Sequence, residues 1–472
     1  MRPAVVVVGG GITGLAAAWE LSRGTPSCRV VLLEAGPALG GRIRSGSVAG
    51  VEVELGPDAF LARVPHAVDL CAELGIRDEL VPPAASHAYV WSRGRLRRLP
   101  PGLVLGVPSD LGALARSGIV GPAGLLRAGL DLVLPAARSE ADRSVGEIVT
   151  GRFGREVHQR LVDPLVGGIN AGRSELLSAR SVAPQLDAAA RSHRSLLLGL
   201  RGQAPPPSDQ PVFLTHPDGL THVVGTLERR LREAGVEIRT GVGVTALERR
   251  PGGWAVATGP AAGAAAGGEP LDARAVVVTT PAPVTAALLA DVCPEAAAEL
   301  GGIEQASVVV VTFAYRPTAF PAPPDGSGFL VPRPEGRLMT AATFLSSKWA
   351  HLARPDLVLV RVSAGRYRDD RAFRLTDAEV ARALHEELAE ATGLTERPVG
   401  TTVTRWPEAF PQYAVGHLDR VARIEAAVDT APGLALAGSA LRGIGIPACI
   451  AQGRQAAERV RAGLGAGAGV RA

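Results

Sequence analysis

The sequence predicts an α/β chain, α+β taken as a whole, and three observations predict it. A β-branched run, Ala4 to Val8, passes directly into a glycine turn and an apolar-faced helical stretch. Strand-like runs of the same character return at Val236–Arg239, Gly243–Leu247, Trp254–Thr258 and Ala275–Thr279. Between the two sets, Leu103 to Arg201 is mostly helical by its hydrophobic period.

The first element is a strand because consecutive apolar, largely β-branched residues suit a parallel strand buried on both faces. It leads into Gly9, Gly10, Gly11, Ile12, Thr13 and Gly14. In this spacing Gly9 allows a tight turn, Gly11 lets the backbone approach a pyrophosphate, and Gly14 lets the next helix pack on the sheet. That helix is expected over Thr13 to Arg23, with Leu15, Ala18, Trp19 and Leu21 on its apolar face. Its amino terminus offers free N–H groups and the positive end of a dipole to phosphate. Arg29 to Leu33 follows as a second strand ending in Glu34 and Ala35, where the acid can accept from ribose hydroxyls. The expectation is a Rossmann-like unit holding a dinucleotide.

Further along, Val212 to Leu220 leads into a helix from Thr221 to Ala234, then into the second set of strands, which stops at Pro281 and Pro283. Gly259 to Gly268 is rich in alanine and glycine and reads as a mobile hairpin loop. Ser307–Tyr315 and Leu357–Ser363 read as strands, and Asp377–Ala391 as a helix. Within the helical stretch, Ser144 and Glu147 have the spacing of a capping box. Leu111 to Leu134 is amphipathic, which suits packing against protein and also leaves a membrane surface open.

The 472 residues exceed one domain of ~100 to 200 residues, so two or three packed units are expected. A hydrophobic fraction of 46% against 20% charged residues excludes a disordered chain. Cys28, Cys71, Cys293 and Cys449 are scattered without a CxxC pair, which points away from disulfide, zinc and iron–sulfur frameworks and towards a reducing cytoplasm. Met1 to Ala4 has no features of a signal peptide, and no run of ~18 apolar residues predicts a transmembrane helix. The net charge is +4 without dense basic runs, so no nucleic-acid partner is expected. No metal ligand is assigned. The oligomeric state has no signature.

Five segments carry a resemblance. Gly40, Gly41 and Arg42 after Glu34 resemble the GGR element of amine oxidase and phytoene desaturase flavoproteins, where arginine can place a planar fork near pyrophosphate. Gly56, Pro57, Asp58, Ala59, Phe60, Leu61, Ala62 and Arg63 resemble the GPDxFLxR run of bacterial porphyrinogen oxidases. Asp163 to Gly172 resembles EPxxxGxxAG, and Arg405, Trp406, Pro411, Gln412, Tyr413, Gly416 and His417 resemble RW…PQYxxGH. Leu436 to Ile450 resembles the closing flavin segment: a strand, a glycine loop, and a helix beginning near Pro447. Together these span Val5 to Ala457 in order, and the chain resembles the coproporphyrinogen III oxidase and protoporphyrinogen oxidase family of FAD-dependent, amine oxidase-like flavoproteins. Departures are Asp163 for glutamate, Asn170 for a frequent aromatic and Val64 for a second basic residue.

The resemblance implies noncovalent FAD and oxidation of a tetrapyrrole bearing carboxylates, with O2 reoxidising the flavin and no strong protein base required. Cofactor contacts are carried onto Gly9, Gly10, Gly11, Ile12, Thr13, Gly14, Glu34, Ala35, Arg42, Gly56, Pro57, Asp58, Ala59, Val244, Trp406, Gly438, Ile444, Gly445 and Ile446. Substrate contacts are carried onto Arg63, Gly168, Ile169, Asn170 and Arg95, the last in a cluster with Arg93 and Arg97 that equally suits solvated arginines. The FAD-binding unit is expected in three pieces, 1–85, 211–285 and 431–472, with a mixed-sheet substrate domain at 86–104 and 286–430 and a helical subdomain at 105–210. Coproporphyrinogen is favoured, with protoporphyrinogen, an amine oxidase or carotenoid desaturase, and a nonenzymatic flavin binder as alternatives. Cytoplasmic location is expected; peripheral contact with the inner face of the cell membrane and a haem-pathway enzyme partner stay open.

Overall fold

A computed structural model describes residues 4–24, 28–134, 139–203, 211–260 and 270–468. Ala4–Val8 is a strand in which Val5, Val6 and Val7 are fully buried, because it lies inside a seven-stranded sheet with side chains covered on both faces. The strand order is Glu237–Thr240, Arg29–Glu34, Ala4–Val8, Leu271–Val278, Gly253–Pro260 and Val242–Arg250, with Leu434–Leu436 also paired to Leu271–Val278. Pairs around Ala4–Val8 are parallel, and the last two strands of the order join antiparallel. Chain segments far apart in sequence are thus stitched into one sheet.

Three helices cover one face: Ile12–Gly24, Leu220–Glu233 and Ile446–Ala468. A Cβ at Gly453 would run into the Thr13 carbonyl oxygen, so the first and last of these helices meet backbone to backbone. On the other face Ala282–Leu289, Pro294–Gly301 and His417–Asp429 pack over Trp254, Val276 and Leu434.

A second seven-stranded sheet runs Gly400–Pro411, Gln305–Tyr315, Val358–Ala364, Met339–Phe344, Gly328–Leu330, Tyr89–Ser92 and Arg95–Arg98. Gln305–Tyr315, rich in valine, is buried between two antiparallel neighbours. Helix Asp377–Thr392 buries Val380, Leu384 and Leu388 against this sheet.

Helices from Leu111–Ser117 to Leu196–Gln203 pack around Leu114, Ile119, Phe153, Leu161 and Leu186, among them a π-helix, His158–Gly167, containing Pro164. Ser144 caps Val145–Phe153 by accepting from the Glu147 N–H, while the complete capping box, with both arms, stands at Thr376 and Glu379. Ala113, Leu114 and Ala128 pack inward, whereas Leu126 and Val133 stay exposed. The glycine-rich loop expected over Gly259–Gly268 lies, beyond its first residues, outside the described residues. Among the described residues no helix is long and apolar enough to cross a membrane.

Candidate active site

The glycine turn is fixed by backbone bonds at every step. The Gly9 N–H donates to Leu33 O at 2.8 Å, the Gly40 N–H to Gly10 O at 2.9 Å, and Thr279 Oγ1 to Val8 O at 2.9 Å. Gly9 has φ +104°, and a Cβ on Gly14 would strike the Gly9 carbonyl, so both glycines serve the turn and helix packing. Gly11 differs, because nothing lies within 4 Å of where its Cβ would stand. Protein packing therefore does not demand glycine there, and the space beside it is open to the cavity. Ile12 and Thr13, whose N–H groups open the first helical turn, line that cavity.

Glu34 ends its strand with both oxygens fixed, Oε2 accepting from the Gly10 N–H and Oε1 from the Gly36 N–H, each at 2.6 Å. Arg42 donates to Ser439 Oγ at 3.1 Å, and among the described residues no carboxylate comes within ion-pair distance. Burial lowers its pKa. A half-buried guanidinium without an acid partner, beside an open helix amino terminus, fits the pyrophosphate of a dinucleotide.

These residues form one end of a cavity of about 1750 Å³. Ligand pockets for drug-sized molecules run ~300–1000 Å³, so the space exceeds one small ligand. Gly9, Gly11, Ile12, Thr13, Glu34, Ala35, Arg42, Gly56, Pro57, Asp58, Ala59, Val244, Trp406, Ile444, Gly445 and Ile446 all line it, as do Arg63, Gly168 and Ile169. Gly10, Gly14 and Gly438 stand behind the wall, within the turns that shape it. The other end is floored by Val308, Val310, Thr340 and Ser363 of the second sheet.

Asp58 bonds Lys348 Nζ at 2.8 Å, Trp349 Nε1 at 3.0 Å and Arg361 at 3.1 Å. Burial alone would raise its pKa, but Arg361 and Lys348 outweigh burial and hold the carboxyl well below the usual range. Asp58 is thus ionised at neutral pH and ties the Gly56–Ala59 turn to the second sheet. Trp406 Nε1 donates to Leu55 O at 3.0 Å beside the same turn. Tyr413 and His417 lie outside the cavity, stacked 4.0 Å apart. Tyr413 Oη donates to Ser439 O at 2.6 Å and accepts from the Gly443 N–H at 2.8 Å, while His417 Nε2 donates to Leu441 O at 2.8 Å. They brace the closing glycine loop from behind.

A model of the flavin containing amine oxidoreductases matches residues 12–461. The chain is 33% identical over 464 residues to coproporphyrinogen III oxidase of Bacillus subtilis, covering 96% of each. It is 36% identical over 448 residues to that of Mycobacterium tuberculosis, covering 94% of each. The chain belongs to the coproporphyrinogen III oxidase and protoporphyrinogen oxidase family of these flavoproteins. The solved structure of a putative protoporphyrinogen oxidase from Exiguobacterium sp. matches with TM-score 0.87 at 31% identity, covering 98% of this chain and 99% of that one. Putrescine oxidase, at 15% identity and TM-score 0.67 over 98% of this chain and 99% of its own, shares the fold alone.

Against the family pattern, two residues carried over as substrate contacts stand away from the cavity. Asn170 is buried, its Nδ2 donating to Val166 O at 2.9 Å and its own carbonyl accepting from Gln412. The positive φ at Ala171 turns the chain here, so Gly168 and Ile169 face the space and Asn170 does not. Arg95 is exposed on the outermost strand of the second sheet. Its neighbours are engaged elsewhere, Arg93 with Glu156 and Arg97 with Ser92 O. Arg63 lines the mouth beside exposed Leu61, Val64, Val212 and Phe213.

The sequence reading passed over Lys348, Arg361, Arg366 and the Leu103–Leu105 wall, whose signals are single ordinary residues. It also passed over two carboxylate–imidazole clusters with ligand atoms within 4.8 Å, Glu79–His216–His222 and His158–Asp163–Glu175. Protein partners engage both. His216 Nδ1 accepts from the Asp218 N–H, so its Nε2 carries a proton to Glu79. In the second, Ser174 Oγ donates to Asp163 at 2.6 Å and meets His158 Nε2 at 2.8 Å, fully buried, with Arg333 on the other Asp163 oxygen at 3.0 Å.

Proposed function

We propose that this chain is a coproporphyrinogen III oxidase that holds FAD noncovalently and carries out the six-electron oxidation of coproporphyrinogen III to coproporphyrin III, with O2 reduced to H2O2. One observation carries the reading: in a chain alike along its whole length to enzymes of that name, a single cavity of about 1750 Å³ runs from the dinucleotide turn to the second sheet. A space of that size exceeds what one small ligand needs and suits a flavin together with a flexible macrocycle.

The flavin, when bound, supplies the two-electron acceptor that O2 restores. Every other part of the scheme belongs to this chain. Gly11, the open helix turn at Ile12 and Thr13, and Arg42 hold the pyrophosphate; Glu34 accepts from ribose. The apolar floor at Val308 and Val310 and the Gly168–Gly172 wall hold a tetrapyrrole and exclude water. Asp58, kept ionised between Arg361 and Lys348, fixes the wall without taking up a proton. Arg63 at the mouth meets carboxylates that reach towards solvent. The chain is read as cytoplasmic.

Purified yellow protein mixed with coproporphyrinogen III or protoporphyrinogen IX, followed by porphyrin fluorescence and peroxide assay, tests this. Faster turnover of coproporphyrinogen is expected, and acid precipitation should release the chromophore. Equal or reversed rates defeat the choice of substrate in favour of protoporphyrinogen. Anaerobic reduction by neither porphyrinogen defeats the oxidase reading altogether.

A further inference from the structure

The arginines around the cavity are not equivalent. Arg361 donates to Gly56 O at 3.0 Å and pairs with Asp58, so its charge is met within the protein. Arg333 is held by Asp163 at 3.0 Å and donates to Gly172 O at 2.6 Å. Arg366 lines the cavity with a side chain only 10% exposed, and its guanidinium makes no hydrogen bond to any described residue. Its Nε is fully buried without an acceptor. The Asp369 carboxylate lies 3.9 Å from that Nε, beyond hydrogen-bond reach, and is gripped by Arg371 at 2.8 and 2.9 Å.

The backbone holds this side chain in place. A Cβ on Gly365 (φ +89°) would meet Ser307 O at 2.8 Å, and the Tyr367 N–H donates to Ala171 O at 2.7 Å. Arg366 is therefore clamped between the strand Gln305–Tyr315 and the loop closing the Gly168–Gly172 wall. That is the second-sheet end of the cavity, away from the turn at Gly11, where Arg42 already meets the needs of a pyrophosphate. Burial and neighbouring Arg333 push its pKa down to about 10, so it stays cationic at neutral pH. A buried cation without hydrogen bonds is costly, and a planar carboxylate on its two outer nitrogens offsets much of that cost.

We propose that Arg366 binds a propionate carboxylate of the porphyrinogen, anchoring the macrocycle at the inner end of the cavity and selecting free acids over esters. The inference rests on the porphyrinogen oxidase reading of the same cavity.

Coproporphyrin III and its tetramethyl ester, titrated into wild-type holoenzyme and into Arg366→Gln and Arg366→Lys, test it by porphyrin fluorescence, alongside KM and kcat for coproporphyrinogen. Wild type should favour the acid over the ester. Arg366→Gln should lose about tenfold or more in acid affinity, with a matching rise in KM and unchanged ester binding, flavin content and melting temperature. Arg366→Lys should recover part of the loss. Arg366→Gln that keeps wild-type acid affinity and KM, in an enzyme that turns over coproporphyrinogen, overturns this assignment alone. Wild-type holoenzyme that neither binds nor oxidises the tetrapyrrole overturns the reading beneath it, and the assignment with it.

Discussion

A side chain at residue 11 would project into open cavity, whereas one at residue 14 would collide with the Gly9 carbonyl. The two glycines of one motif therefore have separable reasons. Gly11→Val is expected to purify colourless while melting like wild-type apoprotein, since it displaces a ligand and no protein atom. Gly14→Val is expected to lower the melting temperature with or without added flavin. Loss of stability in both, or of colour in neither, would show that the turn does not grip a dinucleotide. Among the described residues Arg42 has no acid partner to strand, so Arg42→Met should leave the apoprotein intact. A charge-assisted hydrogen bond is worth about 2 kcal/mol, so FAD should bind ~30-fold more weakly, readable by fluorescence titration.

The closing loop, with Gly443, Ile444 and Gly445, is held from behind by the phenol of Tyr413, which serves Ser439 O and the Gly443 N–H at once. Tyr413→Phe strands both groups, at ~1–3 kcal/mol for each that stays dry. A lower melting temperature and faster flavin release are expected, with spectral change in the flavin; wild-type behaviour in both sinks this role. The loop's glycines and the helix after Pro447 were legible in sequence because they are local signals. So were Ala4–Val8 and Gln305–Tyr315, whose valines can only be buried. Gly400–Pro411 was not, since Pro407, Pro411 and the charges at Arg405 and Glu408 argue against a strand; pairing with Gln305–Tyr315 overrides them. The same limit governed the arginines. In an arginine-rich chain, Arg95 and Arg366 look alike until partners arrive from far along the chain, as Asp58 does for Arg361 and Asp163 for Arg333.

Across the whole molecule, burial lowers the pKa of four histidines distributed among its layers: His158 in the π-helix, His351 and His385 beside the second sheet, and His417 behind the closing loop. Each is neutral in the fold at a pH where the unfolded chain, with a pKa of about 6.5, already binds a proton. Their contribution is therefore present above about pH 6.5 and is lost as pH falls towards the folded values, at about 1.4 kcal/mol per pH unit for each histidine that stays neutral. Glu54 opposes them. Burial raises its pKa to about 7, so its contribution is present at low pH and fades as pH rises through that value. Asp58, depressed, matters only when pH falls below its unfolded value near 4. As pH falls from about 7 through the unfolded value near 6.5, four histidines thus act against one carboxyl, and the fold should lose stability on acidification. Melting midpoints of apoprotein and holoenzyme should both fall over that interval. His417→Gln, which keeps a donor to Leu441 O but cannot take up a proton, should shallow the slope. A midpoint that stays level or rises on acidification would mean that these imidazoles admit a proton inside the fold, and that the interior around them is wetter than their packing indicates.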